Sequence, residues 1–322
     1  MHRRTLLAAP FLAAAPARAQ PSRPLARIGW LTAQREASLT PFLPALRAGL
    51  AEARLVEGRN LEIAYRFGDD DAARLPALLA ELVRLPVHVL LAQGVAVAPV
   101  IRARPPVPVV FVMSSDPVAA GLAESLARPA PGTTGVTFLS AEMNGKRVEL
   151  LRDLLPGLTQ LAILANPAHP GEAMERAVAE GVAARFGIAT AMHHTRNAAE
   201  LELAFARLAA APPGALLAFA DGFALQNRAA IARFAMALRI PLVSGWRAFA
   251  EAGALLSYGP VLPDSYRRLA HFVDRILRGT RPEAMPIEQP RSFELVVNQR
   301  TAAAIGLEVP THLLARAEAV IE

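Results

Sequence analysis

Several short polar stretches carry groups able to hold a small molecule. Ser114-Ser115-Asp116-Pro117 is the densest, with two hydroxyls ahead of a pair that reads as a helix N-cap and a proline at the first helical position. Hydroxyls and free backbone N–H groups suit a carboxylate or another anion. Ser114 and Ser115 are therefore candidate ligand contacts, and Asp116 reads as the cap. Asp221-Gly222-Phe223 offers the complementary charge. A carboxylate buried when a cleft closes is costly unless it meets a cation, so Asp221 suits an ammonium group. Capping the following helix is its competing role, and Phe223 either walls a pocket or staples that helix. Thr32, Gln34, Gln93, Gly94, Asn166 and Ser244 complete the polar inventory, Gly94 because glycine lets backbone approach a ligand. Trp246 has a face on which a flat ligand could stack, competing with an ordinary role in the core. Tyr258 either reaches the same ligand or stiffens a hinge.

The residues that would turn binding into catalysis are missing from their usual settings. No G-x-S-x-G, H-E-x-x-H, G-x-x-x-x-G-K-[ST] or G-x-G-x-x-G occurs. The chain has no cysteine, which removes disulfides, thiolate metal sites and cysteine nucleophiles. His193 and His194 are neighbours on an expected strand and so point to opposite faces, which prevents them from chelating one metal. His169, beside Pro170, reads as a solvated loop residue. A hydrolase assembled from Ser115, Asp221 and a histidine is the enzymatic alternative; no catalytic residue, metal site or cofactor is otherwise expected.

These residues fall at the ends of short apolar runs that alternate with helical stretches, a pattern of parallel sheets covered by helices. Strands are expected at 27–32, 61–66, 88–92 and 107–112, with helices at 41–54, 72–84 and 95–104 between them. Pro129, Pro131, Gly132 and Gly135 then interrupt the pattern, and a short extended piece at 135–138 reads as a crossover. The alternation restarts with helices at 142–155, 171–186, 198–210 and 225–238 and strands at 160–165, 188–193, 215–220 and 241–243. A second extended piece at 254–258, a long helix at 263–278 and a proline-rich stretch to Pro290 follow. Two crossovers and a late return imply two lobes joined by several strands, moving as rigid bodies about a cleft. In open parallel sheets ligands gather outside the carboxyl ends of strands, where the polar stretches above are placed.

The N-terminus predicts where the protein works. A cationic start at 1–5, an apolar run at 6–16 and Ala17-Arg18-Ala19 form a signal peptide over residues 1–19, cleaved after Ala19. Arg3-Arg4 also fits a twin-arginine signal, so the export route is either that or the general secretory one. The apolar run is shorter than the roughly 20 residues needed to span a bilayer, and no stable membrane insertion is expected. The formal charge of +6 drops to about +3 once Arg3, Arg4 and Arg18 are removed. Lys146 is the only lysine, and no clustered basic stripe suggests a nucleic-acid partner.

The chain resembles one family in Arg27-Ile28-Gly29, Tyr65-Arg66, the run 110–122 (VFVMSSDPVAAGL), 132–136 (GTTGV), Gly145-Lys146-Arg147 with Glu149-Leu150-Leu151, Asn166-Pro167-Ala168, Ser257-Tyr258-Gly259-Pro260, and 290–295 followed by Asn298. It is similar to the extracytoplasmic substrate-binding proteins of ABC importers, in the type I periplasmic-binding group that includes tryptophan- and tyrosine-binding members. The resemblance covers nearly all of the mature chain. It implies an α/β fold of two lobes, each a parallel sheet flanked by helices, with lobe 1 formed by 26–137 and 259–290 and lobe 2 by 138–258 and 291–322. It implies a small polar solute in the interlobe cleft, an amino acid and an aromatic one among the options. The implied partners are a membrane permease and its cytoplasmic ATPase, the place the periplasm, and the working form a monomer. A ligand-sensing protein that docks on a receptor instead of a permease would share these sequence features.

Overall fold

The computed structural model describes residues 25–39 and 42–322. The signal peptide read over residues 1–19 lies outside the described residues. Two sheets account for most strands. The first contains β1 (Ala26–Thr32), β2 (Leu61–Phe67), β3 (Val89–Gln93), β4 (Val109–Met113) and, after a small hairpin of β5 (Ala123–Ser125) and β6 (Arg128–Pro129), β7 (Thr133–Thr137). Its order is β2-β1-β3-β4-β7, and every pairing is parallel. The sequences VLLAQ and VVFVM of β3 and β4 are buried throughout, the continuous apolar run that a strand covered on both faces requires.

The second sheet contains β8 (Gln160–Ala165), β9 (Ala189–His194), β10 (Ala215–Ala218), β11 (Leu242–Ser244), β12 (Leu256–Pro260), β13 (Phe293–Asn298) and β14 (Ala319–Ile321). Its order is β14-β13-β12-β11-β10-β8-β9. Only the β12–β13 pair is antiparallel.

The chain passes between the sheets after β7, after β12 and before β13. The helix Leu262–Leu277 follows the second passage and packs on the helix Leu43–Glu52 and on β3, β4 and β7 of the first sheet. The two helices cross closely at Gly49, where a Cβ would lie 2.7 Å from the Arg267 carbonyl and 2.9 Å from the Ala270 Cβ. One apolar cluster runs from Ile28 and Trp30 in the first sheet to Ala162 and Leu216 in the second, and it includes an edge-on Phe138–Trp246 contact with ring centroids 6.4 Å apart.

The structure corrects the sequence reading in four places. The crossover read at 135–138 is there, but residues 133–137 leading into it are also an edge strand of the first sheet beside β4; Gly135 allows it, because a Cβ there would lie 2.1 Å from the Phe111 carbonyl. Asp116 caps no helix. Its Oδ1 accepts from the Val118 N–H at 2.8 Å within a turn over 116–121, too short a run to nucleate a helix. The helix read at 225–238 is two helices, Gly222–Gln226 and Arg228–Ala237, broken at Asn227, whose side chain donates to the Phe223 carbonyl at 2.9 Å. Beyond Pro290 the sequence shows no clear period, yet β13 and β14 form there, because pairing at the edge of an existing sheet supplies what local pattern does not. No described helix is long and apolar enough to cross a membrane.

Candidate functional site

The carboxyl ends of the two sheets face each other and touch. Ser114, after β4, and His169, after β8, share a hydrogen bond of 2.6 Å between Oγ and Nε2. The Arg35 backbone N–H donates to Gln226 Oε1 at 3.1 Å, and Gln226 Nε2 donates to Asp70 Oδ2 at 2.7 Å. Asp70 also pairs with Arg35 at 2.5 Å. The lobes are therefore closed on one another in this structure.

Between them lies a cavity of about 70 Å³ lined by Thr32, Gln34, Gln93, Gly94 and Ser114 from the first lobe and by Asn166, Asp221 and Phe223 from the second. These predicted residues come together because both sheets reverse strand order there: β1 and β3 adjoin at the centre of one sheet, β8 and β10 in the other. At such a switch point the flanking loops diverge to opposite faces and leave a crevice.

Of the two roles the sequence leaves open for Asp221, the structure shows the cap. Asp221 is the N-cap of Gly222–Gln226, with Oδ1 accepting from the Ala224 N–H at 2.6 Å. Its Oδ2 is buried with no hydrogen-bond partner, although the Asn166 amide is close enough to favour the charged form. Burial pushes its carboxyl up from the ordinary carboxylate range, opposed chiefly by the nearby His169 ring. On the other lobe Gln93 Nε2 donates to Gln34 Oε1 at 2.9 Å, and Gln93 Oε1 is left buried and unpartnered. The crevice thus presents unused acceptors from both sides.

Ser115 lies just beside the cavity. It is buried, its Oγ lacks a partner, and its side chain rests on Gly171, which opens the loop-to-helix turn of the second lobe. Ser244, Trp246 and Tyr258 lie elsewhere, because β11 and β12 are further from the switch point. Ser244 Oγ donates to the Ala218 carbonyl at 2.9 Å inside the sheet. Trp246 packs into the interlobe apolar cluster. Tyr258 is half-buried against the core of the second lobe, and its carbonyl accepts from Arg147 Nε at 2.8 Å.

The sequence reading misses Asp70, Arg196 and His169, all of which line the cavity. The first two follow β2 and β9, so the strand-exit rule applied to every strand would have found them. His169 is buried, not solvated. The Gly171 N–H points at its Nδ1 at 3.3 Å, which assigns the proton to Nε2, so that His169 donates to Ser114 Oγ. Burial lowers its pKa and keeps it neutral. Behind it stands a buried chain: Glu175 Oε1 lies 3.5 Å from His169 Nδ1, Asn144 Nδ2 donates to Glu175 Oε2 at 3.2 Å, and Arg147 Nη1 donates to Asn144 Oδ1. Burial pushes Glu175 up to about 7 and brings Arg147 down to about 10.

Gly171 gives a direct test of closure. A Cβ there would lie 2.4 Å from the Ser115 Cβ, while its φ of −96° and ψ of −2° suit alanine. Gly171→Ala therefore strains chiefly the contact between lobes, with a lesser crowding of Glu175 Oε1 at 3.3 Å, by about 1–3 kcal/mol. We expect a larger radius of gyration in small-angle scattering and a thermal midpoint close to that of the wild type. An unchanged radius with unchanged affinity for a bound solute would show that the lobes do not separate at this contact.

The ABC transporter substrate-binding protein model matches residues 37–321, and the chain belongs to that family. Its fold is that of the two-lobed periplasmic binding proteins. A conserved domain protein from Vibrio cholerae O1 biovar eltor is 23% identical, with a TM-score of 0.85 over 92% of this chain and 99% of that one. An ABC domain from Streptococcus pneumonia in complex with L-Trp is 20% identical, with a TM-score of 0.83 over 92% and 100%. A solute-binding protein from Bacillus halodurans with bound myo-inositol is 14% identical, with a TM-score of 0.59 over 89% and 99%. No curated protein matches the chain in sequence.

Proposed function

We propose that the protein captures a small polar solute bearing an ammonium group, an amino acid in the first place, in the crevice between its lobes and delivers it to an importing permease driven by a cytoplasmic ATPase. The observation that carries this reading is Asp221 Oδ2, buried in the cavity without a hydrogen-bond partner of its own and only partly offset by His169 and Asn166. An ammonium nitrogen seated there supplies the missing charge and donors. The S. pneumonia neighbour with bound L-Trp supports amino acids as the ligand class. Thr32, Gln34, Gln93, Gly94, Ser114, Ser115, Asn166, Asp221 and Phe223 are the proposed contacts.

In this reading residues 26–137 with 259–290 and residues 138–258 with 291–322 are the rigid bodies, and the protein acts as a periplasmic monomer after removal of residues 1–19. The intact mass of the exported protein should correspond to a chain starting at Gln20; a mature chain that still begins at Met1 would refute the processing. Native mass spectrometry of purified protein tests the ligand class. A retained species with the mass of an amino acid supports it, whereas a retained sugar or polyol would replace it.

A further inference from the structure

The geometry points to a proton-dependent latch: we propose that His169 holds the two lobes together only while its ring is neutral, so that acidification of the medium favours the open crevice. The inference needs closure about the crevice, not an amino acid within it. Its starting point is the 2.6 Å bond between His169 Nε2 and Ser114 Oγ, which joins the exit of β8 in the second lobe to the exit of β4 in the first. Both residues are buried.

The closed arrangement has no good place for a second proton on this ring. Neutral imidazole uses one nitrogen as donor and the other as acceptor, whereas the imidazolium has two donors and no acceptor. Nε2 already donates to Ser114, and Nδ1 accepts from the Gly171 N–H at 3.3 Å. Protonation at Nδ1 therefore sets donor against donor. The acceptor beside it is Glu175 Oε1, 3.5 Å away. Burial pushes that carboxyl up to about 7. Below that pH the His169–Glu175 pair already carries one proton, and its second is the costly one whichever site took the first.

The charges around the ring do not remove that cost. Burial lowers its pKa and outweighs Asp221 and Glu172, which both favour the imidazolium. Across the cavity Asp70 is taken up by Arg35 and Gln226, and Arg196 by Glu200. Arg147 reaches Glu175 through Asn144 from the helix Ser140–Leu154 and adds positive charge on that side. Opening uncovers the ring to water, where a histidine titrates near 6.5. A base whose pKa falls on closure favours the closed state above that value, and the closed-to-open ratio falls by up to about tenfold for each pH unit below it. Burial raises the Glu175 and Asp221 carboxyls, so any further rise on closure acts in the opposite sense. The share of His169 is therefore the difference made by a variant without its ring.

The test uses ligand-free protein, so its outcome does not depend on the solute. NMR of the assigned His169 ring follows its protonation between about pH 5 and 8 in wild type and in Gly171→Ala. Wild type should titrate about one pH unit or more below the opened variant, whose midpoint should lie near 6.5. Small-angle scattering reads the consequence. The radius of gyration of wild type should rise between about pH 7.5 and 5.5, while His169→Gln, which keeps an amide donor for Ser114 and has no ring to titrate, should show no such rise. Ser114→Ala should move the His169 midpoint up toward that of Gly171→Ala, and serves instead should His169→Gln fail to fold. Equal midpoints in wild type and Gly171→Ala would overturn the latch, and so would a wild-type radius that is constant with pH or changes in step with that of His169→Gln. A retained sugar in place of an amino acid would remove the amino-acid reading and leave the latch standing.

Discussion

Replacing Asp221 with asparagine is expected to weaken capture of an ammonium-bearing ligand by about 100-fold to several thousand-fold while leaving the protein folded. Asparagine caps helices as well as aspartate does, so the bond from the Ala224 N–H survives and the helix Gly222–Gln226 keeps its start. What disappears is, among the described residues, the only buried carboxylate oxygen in the crevice without a hydrogen-bond partner. An ammonium group then enters the closed cavity without its counter-charge, a loss of about 3–5 kcal/mol. Ser115→Ala removes one hydroxyl and should cost about 0.5–1.5 kcal/mol, or up to roughly 3 if the group it serves is charged. Calorimetry on the retained ligand decides the order. Equal affinity of wild type and Asp221→Asn would reduce Asp221 to a cap and take the cation out of the ligand.

The same residue makes closure without a ligand costly. Closure without ligand strands a carboxylate whose pKa burial has already raised, and opening returns it to water. On the proposed amino-acid reading, a cationic ligand would reverse that balance and link binding to closure through one oxygen atom.

The second large effect is a pH dependence centred on Glu175. Burial raises its carboxyl from the ordinary value of 4.5 to about 7, against the favourable field of Arg147 and the Asn144 hydrogen bond and with the repulsion of Glu172. The folded protein therefore holds this proton more tightly than the unfolded chain does. Its stabilising contribution is complete below about pH 4.5 and is lost as pH rises through about 7. At about 1.36 kcal/mol per pH unit the loss is on the order of 3 kcal/mol. Glu175→Gln imitates the protonated form and keeps an acceptor for Asn144, so it should match wild type near pH 5 and exceed its stability at pH 8. Urea unfolding across that range provides the measurement. Parallel stability curves for the two proteins would show that Glu175 stays ionised in the folded state at neutral pH.

Much of this site was legible from strand exits alone. Thr32 and Gln93 end parallel strands, Gln34, Gly94, Ser114, Asn166 and Asp221 follow them, and an apolar run ending in a polar residue marks such an exit in any sequence. Strand order is not marked in this way. Nothing local in β11 or β12 distinguishes them from β8 and β10, so Ser244, Trp246 and Tyr258 looked equivalent to residues that reach the crevice. His169 was hidden for a different reason. A histidine beside proline in a loop reads as exposed, and its burial depends on the other lobe bringing Ser114 over it. Glu175, Asn144 and Arg147 lie on helices whose polar residues would ordinarily face water; only the helix-on-helix packing of Ser140–Leu154 against Glu172–Arg185 turns them inward.

The helix Leu262–Leu277 bears on how the molecule comes into being. It completes the first lobe by covering Leu43–Glu52 and the sheet beneath, more than two hundred positions earlier in the chain. The second lobe in turn waits for β13 and β14, the last strands to be synthesised. Neither half closes its core before translation is nearly finished, and contacts of such separation assemble slowly. The first sheet lacks this part of its cover until residues 262–277 are made, and the second lacks these strands until residues 293–321 are. The arrangement makes loss of these late segments more damaging to the native state than their small number of residues would suggest.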